Sequence, residues 1–235
     1  MRYKLWHVGG KGNEMKSVIF DLDGTLADTS GDLIAAANAC FDGLGHGLLL
    51  DAEADMLTAF HGGRAMLRLG FSRIGEPWDE AMVDAQYDVL LRHYGENIAV
   101  HTKLYPNVEQ SLEELKSRGY LLGVCTNKPA ALAETLMGQL GVRPMFGALL
   151  GADTLPVRKP DPEHLWETIR RVGGDLERSV LIGDTDNDRS AARNANVPSV
   201  LVTFGPSGQG VSEMEPEALL HHYDDLPDLA DQLVR

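Results

Sequence analysis

Four short apolar runs punctuate the chain, each followed at once by polar residues or glycine: Val18-Ile19-Phe20, Leu121-Leu122-Gly123-Val124-Cys125, Val180-Leu181-Ile182 and Val200-Leu201-Val202. Unalternating runs of this length suit strands buried on both faces of a parallel sheet. Phe146 to Leu150 is a weaker candidate of the same kind. Between the runs, apolar residues recur at helical spacing: Val108, Leu112 and Leu115, then Leu132, Leu136 and Leu140, then Leu165, Ile169 and Val172. This alternation predicts an open α/β fold, with helices on both faces of a parallel sheet. Ligands of such sheets bind beyond the carboxyl ends of the strands.

One interval breaks the rhythm. From Asp28 to about His101 no strong strand pattern occurs, whereas Leu33–Phe41, Met56–Leu69 and the series Val83, Tyr87, Leu90, Leu91, Tyr94 and Ile98 read as helices. A crossover between parallel strands needs only about a dozen residues. The stretch 29–100 is therefore predicted to be an inserted helical cap on a core formed by 15–28 and 101–235; the alternative is that it belongs to the core itself. Met56, Leu67 and Tyr87 are expected inside the cap rather than along a groove, and hinges are expected at Asp28–Gly31 and His101–Tyr105. Residues 1–14 read as an N-terminal extension, with Met15 a candidate start, and Gly205–Gly210 as a flexible surface loop.

Charge narrows the functions available. The 235 residues carry a formal net charge of −14, a field that repels nucleic acid and anionic membrane. It also opposes an anionic substrate, so a phosphate site here must create its own positive potential. Cys40 and Cys125 form no CxxC pair and read as buried thiols of a reducing compartment. No apolar run approaches the roughly 18 residues of a membrane span, and none has signal-peptide form, so a cytoplasmic protein is expected.

Polar chemistry gathers where the predicted strands end. Asp21 and Asp23, two residues apart, can face the same crevice, and Gly24 lets the chain turn away. Two acids so close call for a cation, and Mg²⁺ favours hard oxygen ligands; an Asx turn at a strand end is the ordinary alternative. Thr126 and Asn127 precede Pro129 at a predicted helix start, where exposed amides suit a phosphate oxygen; simple capping is the alternative. Arg158 and Lys159 precede a rigid Pro-Asp-Pro turn, as a phosphate-binding charge or as solvated loop charges. Asp184, Asp186 and Asp188 crowd the end of a strand, as metal ligands or as acids at a helix N-terminus. Counted from Asp21 or Asp184, the glycine and glutamate that an EF-hand loop requires are absent.

The order of these segments resembles the haloacid dehalogenase (HAD) superfamily of phosphohydrolases: Asp-x-Asp-Gly-Thr, then Thr-Asn, then Lys-Pro, then Gly-Asp-x-x-x-Asp. The helical interval after the first motif resembles its C1-cap subfamily, which includes phosphoglycolate phosphatases. The resemblance implies a Rossmann-like core and a Mg²⁺-dependent phosphomonoester hydrolase, with Mn²⁺ able to substitute. It also implies roles: Asp21 as nucleophile forming an aspartyl phosphate, Asp23 as acid and then base, Thr126 and Lys159 on the transferring phosphoryl group, and Thr25 and Asn127 bordering it. Asp21, Asp184 and the backbone carbonyl of Asp23 would hold the metal, with Asp188 a direct or outer ligand. In the cap, Phe60-His61-Gly62-Gly63-Arg64 is the expected substrate contact, Arg64 gripping a carboxylate and His61 adding a hydrogen bond; a helix–helix turn with a solvated arginine is the alternative. The expected partner is a small phosphorylated metabolite, with phosphoglycolate one candidate, and the expected state a monomer or homodimer.

Rival readings remain on the same scaffold. Dehalogenases of the superfamily lack the second acid of the first motif, and Asp23 is present. The phosphonatase branch needs a cap lysine, and none occurs between Lys16 and Lys103. A sugar-phosphate mutase keeps every motif and differs in the cap, and a non-catalytic binding protein keeps only the fold.

Overall fold

A computed structural model of the chain describes residues 15–234; the expectation for 1–14 lies outside them. Six parallel strands form the sheet: β1 (Ser17–Phe20), β4 (Leu121–Cys125), β5 (Ala148–Leu150), β6 (Ser179–Gly183), β7 (Ser199–Val202) and β8 (Ala218–Leu220), in the order β5-β4-β1-β6-β7-β8. The remaining pair, β2 (Ala27–Asp28) and β3 (Lys103–Leu104), runs antiparallel outside the sheet.

The predicted runs form strands because both faces are covered. Alternate residues divide between the faces. Ile19, Leu181 and Cys125 pack with Leu165 and Ile169 of α7 (Pro162–Val172) and Ala191 and Ala192 of α8 (Asp186–Ala195). Val18, Phe20, Val124, Val180 and Ile182 pack with α5 (Val108–Ser117), α6 (Ala130–Gln139) and α9 (Leu226–Leu233). Local chemistry sets the helix ends: Asp161 caps α7 through the Glu163 amide ahead of Pro162, and left-handed Gly173 ends it.

The chain builds β1, leaves for the cap, and returns to β4 and β5 on one side; it then crosses to β6, β7 and β8 on the other. The point of reversal lies between β1 and β6, and a crevice beyond it is where such sheets place their ligands.

The cap comprises α1 (Ser30–Gly43), α2 (Met56–Phe60), α3 (Gly63–Ile74) and α4 (Glu80–Glu96), inserted between β2 and β3. Its apolar interior, including Ile34, Phe41, Leu67, Phe71 and Leu90, is continuous with the α5 side of the core. Asp32, buried on α1, accepts hydrogen bonds from the His101 and Thr102 amides and the Thr102 hydroxyl, at 2.8, 3.0 and 2.7 Å. One carboxylate thus ties together the two connections between cap and core.

Three expectations need correction. Met56–Leu69 is not one helix: the chain breaks at His61-Gly62, where Gly62 takes a φ of 94°. Gly205–Gly210 is a surface loop only in part: Gln209 and Gly210 are exposed, but its start is anchored. Gly205 is packed so closely that a Cβ there would stand 2.7 Å from the Gly24 carbonyl oxygen, and the chain continues as a 3-10 helix, Gly208–Met214. Tyr87 is not sealed in the cap, because side-chain-free Gly63 lets its ring reach the cleft described below. The strands β2 and β3, two residues each, carry no run long enough to announce themselves, and β8 adds a strand at the short run Ala218-Leu219-Leu220.

Candidate active site

Adjacent strand ends bring the motifs together. Phe20 is in register with Val124 on one side and Ile182 on the other, so Thr126 and Asp184, at the ends of the two flanking strands, each lie one residue beyond the level of Asp21. The Asp21 amide donates to the Ile182 carbonyl at 2.9 Å, fixing the level of the nucleophile candidate against β6. Beyond Asp23 the chain folds back on itself, with the Gly24 amide bonded to the Ala27 carbonyl. Gly24 has φ 80°, and a Cβ there would lie 2.4 Å from Asp184 Oδ2, so conformation and space both require glycine. The Thr25 hydroxyl donates to Asp184 Oδ1 at 2.8 Å, and the Tyr223 hydroxyl holds the Thr25 carbonyl at 2.7 Å.

Asp21, Asp184 and Asp188 each present a carboxylate oxygen within 4.8 Å of the others, the one such acidic trio found among the described residues. Asp188 also serves the fold: Thr185 and Asp188 form a capping box at the start of α8. Metal-ligand and helix-cap geometry therefore coincide there. Lys159 is 2% exposed, not a solvated loop charge, with Nζ 3.0 Å from Asp21 and 2.6 Å from Asp188. The Asn127 side-chain amide donates to the Lys159 carbonyl at 3.0 Å, coupling the second motif to the third. Neither Thr126 nor Asn127 caps α6; the Asp153 carboxylate accepts from the Ala130 amide instead, at 2.8 Å.

The electrostatics of this cluster suit a cation. Burial, only partly offset by Lys159, pushes the Asp21 carboxyl up to about 6, with Asp188 and Asp23 adding repulsion. Burial and the charges of Asp188 and Asp21 hold Asp184 well above the usual carboxylate range. Burial works against the Lys159 ammonium, yet Asp188 and Asp21 outweigh it and raise its pKa. Three carboxylates thus face one ammonium, and Asp184 Oδ2 is buried without a hydrogen-bond partner. A hard divalent cation such as Mg²⁺ fits this donor set and this charge deficit.

A cleft of about 630 Å³ lies between these strand ends and the cap. Asp21, Asp23, Thr126, Asn127 and Lys159 line its core side. His61 and Arg64 line the cap side, where α2 gives way to α3. Arg64 is already engaged: its guanidinium lies 3.7 Å from the Tyr87 ring centroid and 3.0 Å from Asp84.

Sequence reasoning missed Lys128. Its side chain is 4% exposed, with Nζ 2.9 and 3.2 Å from the two Asp23 oxygens and 4.2 Å from the Tyr94 ring centroid. Despite burial, Asp23 and Tyr94 push the ammonium up to about 12. The available signal was its place directly after Thr126-Asn127, at the predicted helix start before Pro129. His164 was also passed over. It is buried beneath the site, Nε2 donating to the Gly151 carbonyl at 3.1 Å and Nδ1 3.6 Å from Cys125 Sγ. Burial lowers His164 to about 4 and raises Cys125 to about 12, which leaves an inert thiol in the strand core.

Residues 18–202 match the sequence model of the haloacid dehalogenase-like hydrolases. The chain belongs to that family. It is 39% identical over 229 residues to a phosphoglycolate phosphatase of Mesorhizobium japonicum, covering 93% of this chain and 96% of the relative. A phosphoglycolate phosphatase of Agrobacterium fabrum is 38% identical, with 92% and 93% covered. Among solved structures, a predicted phosphoglycolate phosphatase from Haemophilus somnus superposes with a TM-score of 0.81 at 26% identity, covering 92% of this chain and 98% of that one. The protein is a HAD-superfamily phosphatase whose parallel sheet and α1–α4 insertion form the superfamily core and C1 cap. No described helix is long and apolar enough to cross a membrane.

Proposed function

We propose that the protein is a magnesium-dependent phosphoglycolate phosphatase working through a covalent phosphate on Asp21. The observation that carries this reading is the buried trio Asp21, Asp184 and Asp188 facing the single ammonium of Lys159 at the end of the central strand. A carboxylate oxygen of Asp21 attacks phosphorus, and the bond from phosphorus to the ester oxygen breaks. Asp23 gives its proton to the departing oxygen. It then takes one from water, whose oxygen attacks phosphorus and releases Asp21 and inorganic phosphate. The Thr126 hydroxyl and the Lys159 ammonium hold the phosphoryl oxygens, Asn127 fixes Lys159 and borders the group, and Thr25 orients Asp184. Asp21, Asp184 and the Asp23 backbone carbonyl, with Asp188 beside them, would hold the magnesium ion, which would supply the charge that lets an anionic carboxylate approach an anionic phosphoryl group.

The substrate assignment rests on the relatives named phosphoglycolate phosphatase, which the chain matches almost end to end. The cap, 29–100, closes over 15–28 and 101–235, moving about the β2–β3 connections and excluding water. His61 and Arg64 close the cap side of the substrate. The test is phosphate release from a panel of phosphomonoesters, with Mg²⁺ and with chelator, using Asp21→Asn as control. Magnesium-dependent release, best with phosphoglycolate and lost in Asp21→Asn, is the expected outcome. Preference for another ester would overturn the substrate, and turnover surviving in Asp21→Asn would overturn the mechanism.

A further inference from the structure

The cleft contains two buried ammonium groups, and they face different parts of a bound ester. Lys159 lies among Asp21 and Asp188, on the phosphoryl side. Lys128 lies on Asp23, the carboxyl that must reach the ester oxygen, and is therefore on the leaving-group side. We propose that Lys128 is the specificity-determining residue of this phosphatase, its ammonium recognising a carboxylate borne on the carbon next to the ester oxygen. The proposal rests on the phosphomonoesterase reading above and adds to it the group that selects the substrate.

Three observations carry the assignment. The first is position. An acid that protonates the ester oxygen stands within about 2.6–3.2 Å of it, and Lys128 Nζ is 2.9 Å from that same carboxyl. Among the described residues that line the cleft, Lys128 is the buried cation paired with that carboxyl.

The second is an open donor. An ammonium has three donors, and Lys128 directs its contacts to the two Asp23 oxygens and the face of Tyr94. A substrate carboxylate can displace the ring contact or share Asp23's place without leaving a buried charge unpaired.

The third is the competition. Arg64, the cap cation, is 43% exposed and engaged with Asp84 and Tyr87, so water screens it and a local acid occupies it. Lys128 is 4% exposed, and its pairing is correspondingly stronger in the low local dielectric. Leu90, Leu91, Leu132 and Tyr94 make this end of the cleft apolar. A short leaving group therefore finds one place there for its charge.

The experiment compares matched substrate pairs on the same preparation: phosphoglycolate with ethyl phosphate, and phospholactate with isopropyl phosphate. Selectivity is the ratio of kcat/KM within a pair, which does not depend on the fraction of enzyme folded. Lys128→Met keeps the apolar stem and removes the charge; Lys128→Gln is the second variant. The wild-type enzyme favours the carboxylated member, and either variant lowers that ratio on the order of 10- to 100-fold, chiefly through KM of the carboxylated ester. Arg64→Ala lowers it less.

Equal losses on both members of each pair overturn the role of Lys128 and leave phosphoglycolate as the substrate. A wild-type preference for phospholactate over phosphoglycolate, collapsing in Lys128→Met, overturns the substrate and supports the role of Lys128. A wild-type enzyme indifferent to the carboxylate in both pairs overturns both.

Discussion

Replacing Asp21, the proposed nucleophile, should make the metal-free protein more stable. Asp21 is buried, and its carboxyl is raised from an ordinary value near 3.8 to about 6 by burial and by the acids around it, even with Lys159 alongside. Between those two pH values the native chain binds more protons than the unfolded chain. This group's contribution is therefore fully present below about pH 3.8 and is lost as pH rises through about 6. At 1.36 kcal/mol per pH unit, holding Asp21 ionised in the fold costs about 3 kcal/mol at pH 7.5. Asn has the shape of the protonated acid and removes that cost, and Lys159 retains Asp188 at 2.6 Å.

For a chain of this size, 1 kcal/mol moves Tm by roughly 2–4 °C. Asp21→Asn in chelator at pH 7.5 is therefore expected to melt on the order of 6–12 °C above wild type. The assay is calorimetric melting from pH 4 to 8 in chelator and again in excess Mg²⁺. The gap between the two proteins should widen as pH rises through about 6. It should narrow in Mg²⁺, because the cation stabilises only a site with its full charge. An Asp21→Asn protein no more stable than wild type in chelator at pH 7.5 would refute the view that the site stores repulsion for a cation to relieve.

Other substitutions test the rest of the site. Lys159→Met removes the one cation among three acids, so it should lose about 3–5 kcal/mol of stability in chelator and at least 100-fold in kcat, read by melting and by turnover. Gly24→Ala meets Asp184 Oδ2 at 2.4 Å and strains a φ of 80°; it should cost about 1–2 kcal/mol and raise the Mg²⁺ concentration needed for half-maximal activity. Arg73→Ala leaves the buried Asp55 carboxylate without the two guanidinium bonds it accepts at 2.6 Å, so the cap should lose about 2 kcal/mol, seen as faster hydrogen exchange in α2 and α3.

The core was legible because each strand is buried on both faces and must be continuously apolar, and because each chemical group sits where such a run stops. Asp21, Thr126 and Asp184 needed no long-range inference. They share the same offset from strands that adjacency places side by side. Asp188 illustrates why a single segment could not be decided alone. A capping box and a metal trio both want a carboxylate three residues into α8, and the folded chain uses one side chain for both.

What stayed hidden depends on contacts across the cap boundary. Lys128 reads as an ordinary turn lysine until Asp23, 105 residues away, and Tyr94 of α4 are brought against it. Arg64 reads as a free cation until α4 places Asp84 and Tyr87 beside it. Helical periodicity predicts that the cap exists but not which residues of α3 and α4 meet, because α3 starts at Gly63 directly after Gly62 and its rotation follows from packing alone. The core side of the cleft is thus set by strand ends that sequence pattern locates, while its other side is set by how helices from the cap rest on them. The placement of polar groups at the strand ends was accordingly readable from one chain, and the groups they meet across the cap boundary were not.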